Sequence, residues 1–272
     1  MRLTIITPSF NQAAFLEKTI RSVTEQGYPD LEYLVLDAGS TDGSVDILRR
    51  YDDRITWWVS EPDEGQTDAL NRGLERATGD VIGYVNSDDY YLPGAFEHAV
   101  DVLAASGARW VVGAARVEDH TGREIHTWLP QLPTKRRHWW LIDPWGYPQP
   151  STFWRRDVFE EFGPFRRDLH YVFDTEFGLR LALAGVMPAT TDRALAVRVE
   201  HPDAKSWDHS PFAREQERFP ELLGGGLTAR ERVLLRGWRS FIGSPAQRGL
   251  TWASTSWRRA LGRPVPGAEA RS

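Results

Sequence analysis

Residues 77–96 read ATGDVIGYVNSDDYYLPGAF. Gly79 closes a preceding helix, residues 81–86 form a short apolar strand, and Pro93 suits the first turn of a helix near residues 94–105. Between strand and helix lie Asn86, Ser87, Asp88 and Asp89, a polar cluster at the strand's carboxyl end. A strand, a polar turn and a helix in this order are half of a βαβ unit.

The same rhythm runs upstream. Residues 3–7 are a β-branched strand that Pro8 stops, and Asn11 is placed to cap a helix whose Phe15, Leu16, Ile20 and Val23 share one face. Residues 31–37 are a second strand, GSTDGS (39–44) turns the chain, and residues 44–51 are helical. A third strand covers 55–60, and Thr67 caps a helix running to Ala77. Residues 109–115 make a fifth strand. Alternating strands and helices with short connections predict an α/β fold: a mostly parallel central sheet flanked by helices, with right-handed crossovers.

After residue 115 the pattern changes. Residues 120–122 read as a turn between strands 115–118 and 124–128. The proline- and tryptophan-rich stretch 130–150 is a loop with apolar weight, suited to a lid or an acceptor groove. A short strand (151–155), a short helix (157–162), a helix over 174–184 and a late strand over 195–199 follow. Beyond Trp207 the chain reads as a helical, irregular extension. The expected layout is a catalytic domain over 1–206, divided into halves 1–115 and 116–206, with an extension over 207–272.

The chain has 272 residues, 41% hydrophobic and 26% charged, a composition that argues against disorder. It has no cysteine, which removes a disulfide framework, a thiolate metal site and a cysteine nucleophile. No apolar run approaches the roughly 18 residues that cross a bilayer. The N-terminus reads as a strand rather than a secretory leader, so the expected location is cytoplasmic. A net charge of −5 argues against a general nucleic-acid binder. That charge is uneven: residues 227–272 hold nine arginines, two glutamates and no lysine, so they carry +7 and the remainder −12. A basic, tryptophan-containing tail suits peripheral contact with an anionic membrane face or an acidic partner; it equally suits a solvated helical appendage.

Ligands of open α/β sheets bind beyond the carboxyl ends of the strands. This chain places Pro8, Ser9, Phe10 and Asn11 after strand one, Asp37 at the end of strand two, the run 61–65 and Asp68 after strand three, and residues 86–89 after strand four. Carboxylates crowded on one rim repel unless a cation is shared. A hard divalent ion with oxygen ligands, Mn2+ or Mg2+, meets that need better than zinc. Each residue alone has a plainer reading: Asp89 or Asp68 at a helix start, Asp42 in a turn, Phe10 in the core.

As a set these residues resemble a family 2 glycosyltransferase with the GT-A fold. The resemblance is carried by TPSFN (7–11), VLDAGSTDGS (35–44), SEPDEGQTDALNRGL (60–74), the stretch 77–96, QPSTFWRRDVFEEFGPF (149–165) and YVFDTEFGLRL (171–181), in this order and spacing. It covers residues 3–206 and not the arginine-rich tail.

The resemblance implies transfer of a sugar from a nucleotide diphosphate donor, most commonly a UDP-sugar and otherwise a dTDP- or GDP-sugar, to an acceptor hydroxyl with inversion. The acceptor would be a saccharide or a lipid-linked oligosaccharide, as in polysaccharide or glycoconjugate synthesis. Asp37 then meets the nucleotide base, with Pro8, Ser9, Phe10 and Asn11 wrapping it. Asp68 lies near the donor, and Arg72 approaches phosphate unless it is simply solvated. Asn86, Ser87 and Asp88 occupy the family's metal motif, where Asn86 replaces the first acid and Asp88 is the ligand. Asp89, Gln149 and Trp145 shape the donor-sugar and acceptor pocket. His201 is a further metal or phosphate contact and Lys205 a phosphate partner, though a lone histidine is more often structural. Asp174 matches the acceptor-side base, with Glu176 its competitor about 200° around the same helix; the plainer reading of Asp174 is a helix cap.

Two other readings stay open on sequence. A sugar-phosphate nucleotidyltransferase also joins a parallel sheet, a nucleotide and a metal, but it needs a glycine-rich loop where this chain has TPSFNQ. A non-catalytic nucleotide- or carbohydrate-binding module would not need Asp174.

Overall fold

Strand β1 (Leu3–Ser9) is buried along its whole length because it lies at the centre of the sheet, between β2 (Leu31–Asp37) and β4 (Val81–Tyr84), both parallel to it. Burial on both faces explains its continuous rather than alternating apolar sequence. The computed structural model describes residues 1–130, 132, 147–205, 207 and 210–223. Residues Met1–Gln216 form one compact unit and Glu217–Ser272 a second, whose described part holds the short helix Phe219–Leu222.

Along the first unit follow α1 (Ala13–Thr24), α2 (Ser44–Arg50), β3 (Trp57–Ser60), α3 (Gln66–Arg76), β5 (Tyr90–Tyr91) and α4 (Ala95–Ser106). Then come β6 (Trp110–Asp119), β7 (Glu124–Trp128), a single 3-10 turn (Gln149–Ser151), β8 (Thr152–Arg155), α5 (Arg156–Phe162), α6 (Phe173–Leu183), β9 (Ala189–Glu200) and α7 (Ser210–Gln216). The described residues build a nine-stranded sheet in the order β3-β2-β1-β4-β8-β6-β9-β5, with β7 also on β6. The four strands β3-β2-β1-β4 are parallel. Past β4 the sheet mixes: β8 runs antiparallel to both β4 and β6, while β9 runs parallel to β6.

Alternate residues of β1 face two cores. Leu3 and Ile5 join Leu16 and Ile20 of α1 and Phe96 of α4. Ile6 faces α3, which approaches so closely that a Cβ on Gly73 would lie 2.7 Å from the Ile6 Cγ2. Beyond β4 the core is aromatic: Tyr84, Trp154, Phe159, Phe165, Phe173 and Phe177 contact one another ring to ring. Each such buried ring contributes about 1.5–3 kcal/mol of apolar burial.

Two expected caps are made differently. Asn11 adopts φ 51° and accepts from the Thr41 N–H, so it does not cap α1. Asp42 and Ser44 of the next loop do so instead, accepting from the backbone N–H groups of Ala13 (2.8 Å) and Gln12 (3.2 Å). Thr67 lies inside α3, not before it, and its hydroxyl donates to the Leu169 carbonyl at 2.7 Å. Two strands are longer than expected. β6 continues unbroken to Asp119, and β9 begins at Ala189 because its polar first half still pairs with β6.

Candidate active site

The carboxyl ends of the parallel strands are in register: Ser9 lies beside Asp37, and Asp37 beside Ser60. Asp37 is spent on the turn that follows it. Its carboxylate accepts from the backbone N–H groups of Gly39 (3.2 Å) and Ser40 (2.8 Å) and from the hydroxyls of Ser40 (2.5 Å) and Ser60 (2.6 Å). Gly39 takes φ 81°, which a glycine adopts without penalty. Ser9 differs: its Oγ is buried and has no hydrogen-bond partner. A buried hydroxyl left unpaired is costly, so it marks a place where a ligand's polar group belongs.

These strand ends open into a cleft of about 630 Å3. Its lining includes Pro8, Ser9, Phe10, Ala38, Asn86, Ser87, Asp88, Asp89, Gln149, Tyr171, Asp174 and Lys205. Phe10 is 58% exposed there, an aromatic face open for stacking. Gln149 is fixed by donating to the Tyr84 carbonyl at 3.0 Å. Asn86 accepts from the Gln66 amide at 2.6 Å.

Asp88 and Asp89 divide the acidic motif between them. Asp89 points inward, accepts from the Val199 N–H at 2.9 Å, and is pushed well above the usual carboxylate range by burial and then by the Asp88 charge. Asp88 meets His201, with Oδ2 and Nε2 3.1 Å apart. His201 is itself buried, stacked on the Phe15 ring at 4.5 Å. Among the described residues no group of three or more His, Cys, Asp or Glu side chains converges as a metal cage. One carboxylate and one imidazole leave most coordination positions to a ligand's oxygens, which is how Mg2+ and Mn2+ are held in phosphate-binding sites.

Asp174 stands in the first turn of α6 and lines the same cleft. Its Oδ1 accepts from the Thr175 N–H at 2.6 Å, and the Tyr147 hydroxyl donates to its carbonyl at 2.8 Å. Depth within the protein raises its carboxyl to about 6, against the opposing pull of the Thr175 hydrogen bonds and the Lys205 charge. Lys205 is exposed in the fold, while the protein packed around its ammonium lowers it to about 8. Its ammonium donates to the Gln66 side chain at 2.9 Å and to the His170 carbonyl, beneath the Tyr171 ring.

Of the residues singled out on sequence, Pro8, Ser9, Phe10, Asn86, Ser87, Asp88, Asp89, Gln149, Asp174 and Lys205 line this one cleft. Asn11, Asp37, Asp68, Arg72, Glu176 and His201 do not line it. Asp68 is ion-paired with Arg167 and Arg72 with Glu61. Glu176 forms a two-pronged pair with Arg180 (2.7 and 3.2 Å), which also binds the Phe162 carbonyl, so it ties α6 to α5 instead of competing with Asp174. Trp145 lies outside the described residues. Sequence reasoning missed Gln66, Tyr171, Phe212 and Arg198 on the walls and Glu215 behind them. Gln66 carried a signal as part of the EPDEGQ run and Tyr171 as the first residue of YVFDTEFGLRL; the others join the cleft through contacts distant along the chain.

Residues 4–163 match the family described as glycosyl transferase family 2. The chain belongs to that family. It is 30% identical over 186 residues to an uncharacterized glycosyltransferase of Mycobacterium tuberculosis, covering 66% of this chain and 69% of that protein. It is 35% identical over 121 residues to the GalNAc(5)-diNAcBac-PP-undecaprenol beta-1,3-glucosyltransferase of Campylobacter jejuni, covering 43% of this chain and 39% of that one. The structure of S. aureus TarS 1-349 in complex with UDP-GlcNAc aligns with a TM-score of 0.69 at 17% identity, over 90% of this chain and 74% of that one. The fold is the GT-A arrangement.

Proposed function

We propose that the protein transfers a sugar with inversion from a nucleoside diphosphate donor, a UDP-sugar first among them, to a hydroxyl of a saccharide or lipid-linked acceptor. The observation that carries this reading is one cleft lined together by the unpaired Ser9 hydroxyl, Asp88 and the half-buried Asp174. TarS binds UDP-GlcNAc in the same fold, and the Campylobacter relative is named for an undecaprenol-linked acceptor.

In this reading Pro8, Ser9, Phe10, Asn86 and Ser87 hold the nucleoside, Phe10 by stacking and Ser9 Oγ by a hydrogen bond. Asp37 acts behind the base, by fixing the turn at residues 39–40 that follows strand β2. Lys205 meets the diphosphate as a cation. Asp89 and Gln149 border the donor sugar. Asp174 takes the acceptor's proton on Oδ2, because Oδ1 is occupied by Thr175.

Asp88 and His201 are the groups that would hold a divalent ion. An imidazole ligand favours Mn2+ over the harder Mg2+. When bound, the ion supplies positive charge to the leaving diphosphate. Residues 1–115 serve the nucleotide and 116–206 the acceptor.

Among the described residues no helix is long and apolar enough to cross a membrane. The arginine-rich tail, on which peripheral membrane contact rests, lies outside them.

A thermal-shift panel of UDP-, dTDP- and GDP-sugars with and without Mn2+ tests the reading. A stabilising shift with one nucleotide class, larger with Mn2+, supports it, because a ligand that binds only the folded state raises its stability. No shift with any of them overturns it.

A further inference from the structure

Residues 163–172 connect α5 to α6 without regular secondary structure, yet they deliver Asp174 to the cleft. Side chains from two directions hold this link. From α3, Asn71 Nδ2 donates to the Phe165 carbonyl (2.8 Å), Asn71 Oδ1 accepts from the Phe165 N–H (3.0 Å), and Thr67 donates to the Leu169 carbonyl. From the far end of the unit, Lys205 donates to the His170 carbonyl. Glu215 of α7 then takes three successive amides. Its Oε1 accepts from the His170 N–H at 2.8 Å, and its Oε2 accepts from those of Tyr171 (2.8 Å) and Val172 (3.2 Å). Phe212 on the same helix sets its ring edge-on to Tyr171, centroids 5.1 Å apart.

The residue just before α6, Val172, offers no side-chain cap, and its backbone N–H is taken instead by Glu215, 43 residues along the chain. A carboxylate that accepts three backbone N–H groups forms charge-assisted hydrogen bonds and fixes three successive peptide planes. Asp174 is two residues beyond the last of them.

We propose that Glu215 is a positioning residue for Asp174, clamping residues 170–172 so that the carboxylate stands where an acceptor hydroxyl arrives. The inference rests on Asp174 being the base. Glu215 touches no substrate; it acts through the backbone it holds. A displacement of about 1 Å at a reacting group can cost about 10²-fold in rate.

The test is Glu215→Gln, whose amide keeps one acceptor oxygen and turns a donor toward the other N–H groups. Three quantities are compared with the unaltered protein. They are hydrogen exchange of the peptide spanning 168–174, UDP affinity by calorimetry with Mn2+, and Mn2+-supported hydrolysis of UDP-GlcNAc, UDP-glucose, UDP-galactose and GDP-mannose. Expected are faster exchange in that peptide, UDP affinity within about twofold, and kcat lower by at least about tenfold at an unchanged donor KM. Glu215→Asp, which keeps both acceptor oxygens with a shorter reach, should recover part of the lost kcat and serves in its place should Glu215→Gln not fold. Unchanged exchange and kcat, or a UDP affinity that falls in step with kcat, overturns the clamp alone. An unaltered protein that binds none of UDP, dTDP and GDP and hydrolyses none of the four donors nor dTDP-glucose overturns the transferase reading and the clamp with it.

Discussion

Asp88 Oδ2 lies 3.1 Å from His201 Nε2, although 113 residues separate them in the chain. One follows the fourth strand of the parallel half and the other follows β9, so the fold brings a nitrogen to the acidic pair. If the pair holds Mn2+, Asp88→Asn lowers Mn2+-dependent donor turnover by about 10²-fold or more, and His201→Ala by about tenfold. Calorimetric titration of Mn2+ into the UDP-saturated protein checks this. Equal Mn2+ affinity in Asp88→Asn and the unaltered protein would remove the metal from the mechanism.

If Asp174 is the base, it should set the acid limb of activity. With its carboxyl raised to about 6, turnover rises with pH through that value as the base loses its proton. Lys205, lowered to about 8, sets a falling alkaline limb as its charge disappears. Asp174→Asn should reduce transfer by about 10²–10⁴-fold while leaving UDP affinity intact. Lys205→Met should abolish the alkaline limb. A profile flat from pH 5 to pH 9 contradicts both assignments.

The same carboxyl costs stability. Its proton is held more tightly in the folded chain than at its ordinary 3.8, so stability falls as pH rises from about 4 to about 6 and stays lower above that. Asp174→Asn escapes this and should be more stable at pH 7 by about 1–3 kcal/mol, with the gain shrinking toward pH 4. Thermal melting across that range measures it; an equal or lower melting temperature at pH 7 counts against the buried charge.

Ser9→Ala separates binding from folding. Its Oγ has no protein partner, so the variant should melt within about 1 kcal/mol of the original. Nucleotide affinity should drop by roughly threefold to tenfold, the worth of one hydrogen bond. Unaltered UDP affinity would show that the hydroxyl faces no ligand.

Asn71→Ala should do the reverse. It strips two hydrogen bonds and leaves the buried Phe165 N–H and carbonyl unpaired, at about 2–4 kcal/mol. Denaturant melts are the check, and a loss under about 1 kcal/mol would mean that water replaces the amide.

The first half of the fold was legible because β1, β2 and β4 are buried on both faces and Gly39 and Gly79 flank two of them, although β1 does not stop at Pro8 as expected but pairs on through Ser9 beside Asp37. Those boundaries are what brought residues 8–10 and 86–89 to one rim. What stayed hidden depends on partners far along the chain. Tyr90–Tyr91 is too short to read as a strand and exists through pairing with Val197 and Ala196 of β9. Asn11 had the right chemistry for a cap, but Asp42 and Ser44 reach the helix start first. Asp68, Arg72 and Glu176 were drawn toward the site by their motifs, and each is claimed by an opposite charge that no local pattern announces. Glu215 sits past the last motif, in a stretch whose composition suggested only an appendage.

The reach of Glu215 back to residues 170–172 also orders events during synthesis. A ribosome that has released every strand through Glu200 has emitted the whole sheet, and the amides ahead of Asp174 still face water. The backbone ahead of Asp174 therefore gains its clamp only with α7, the helix that also brings Phe212 to the cleft wall, so this corner of the cleft is the last part of the unit to be made.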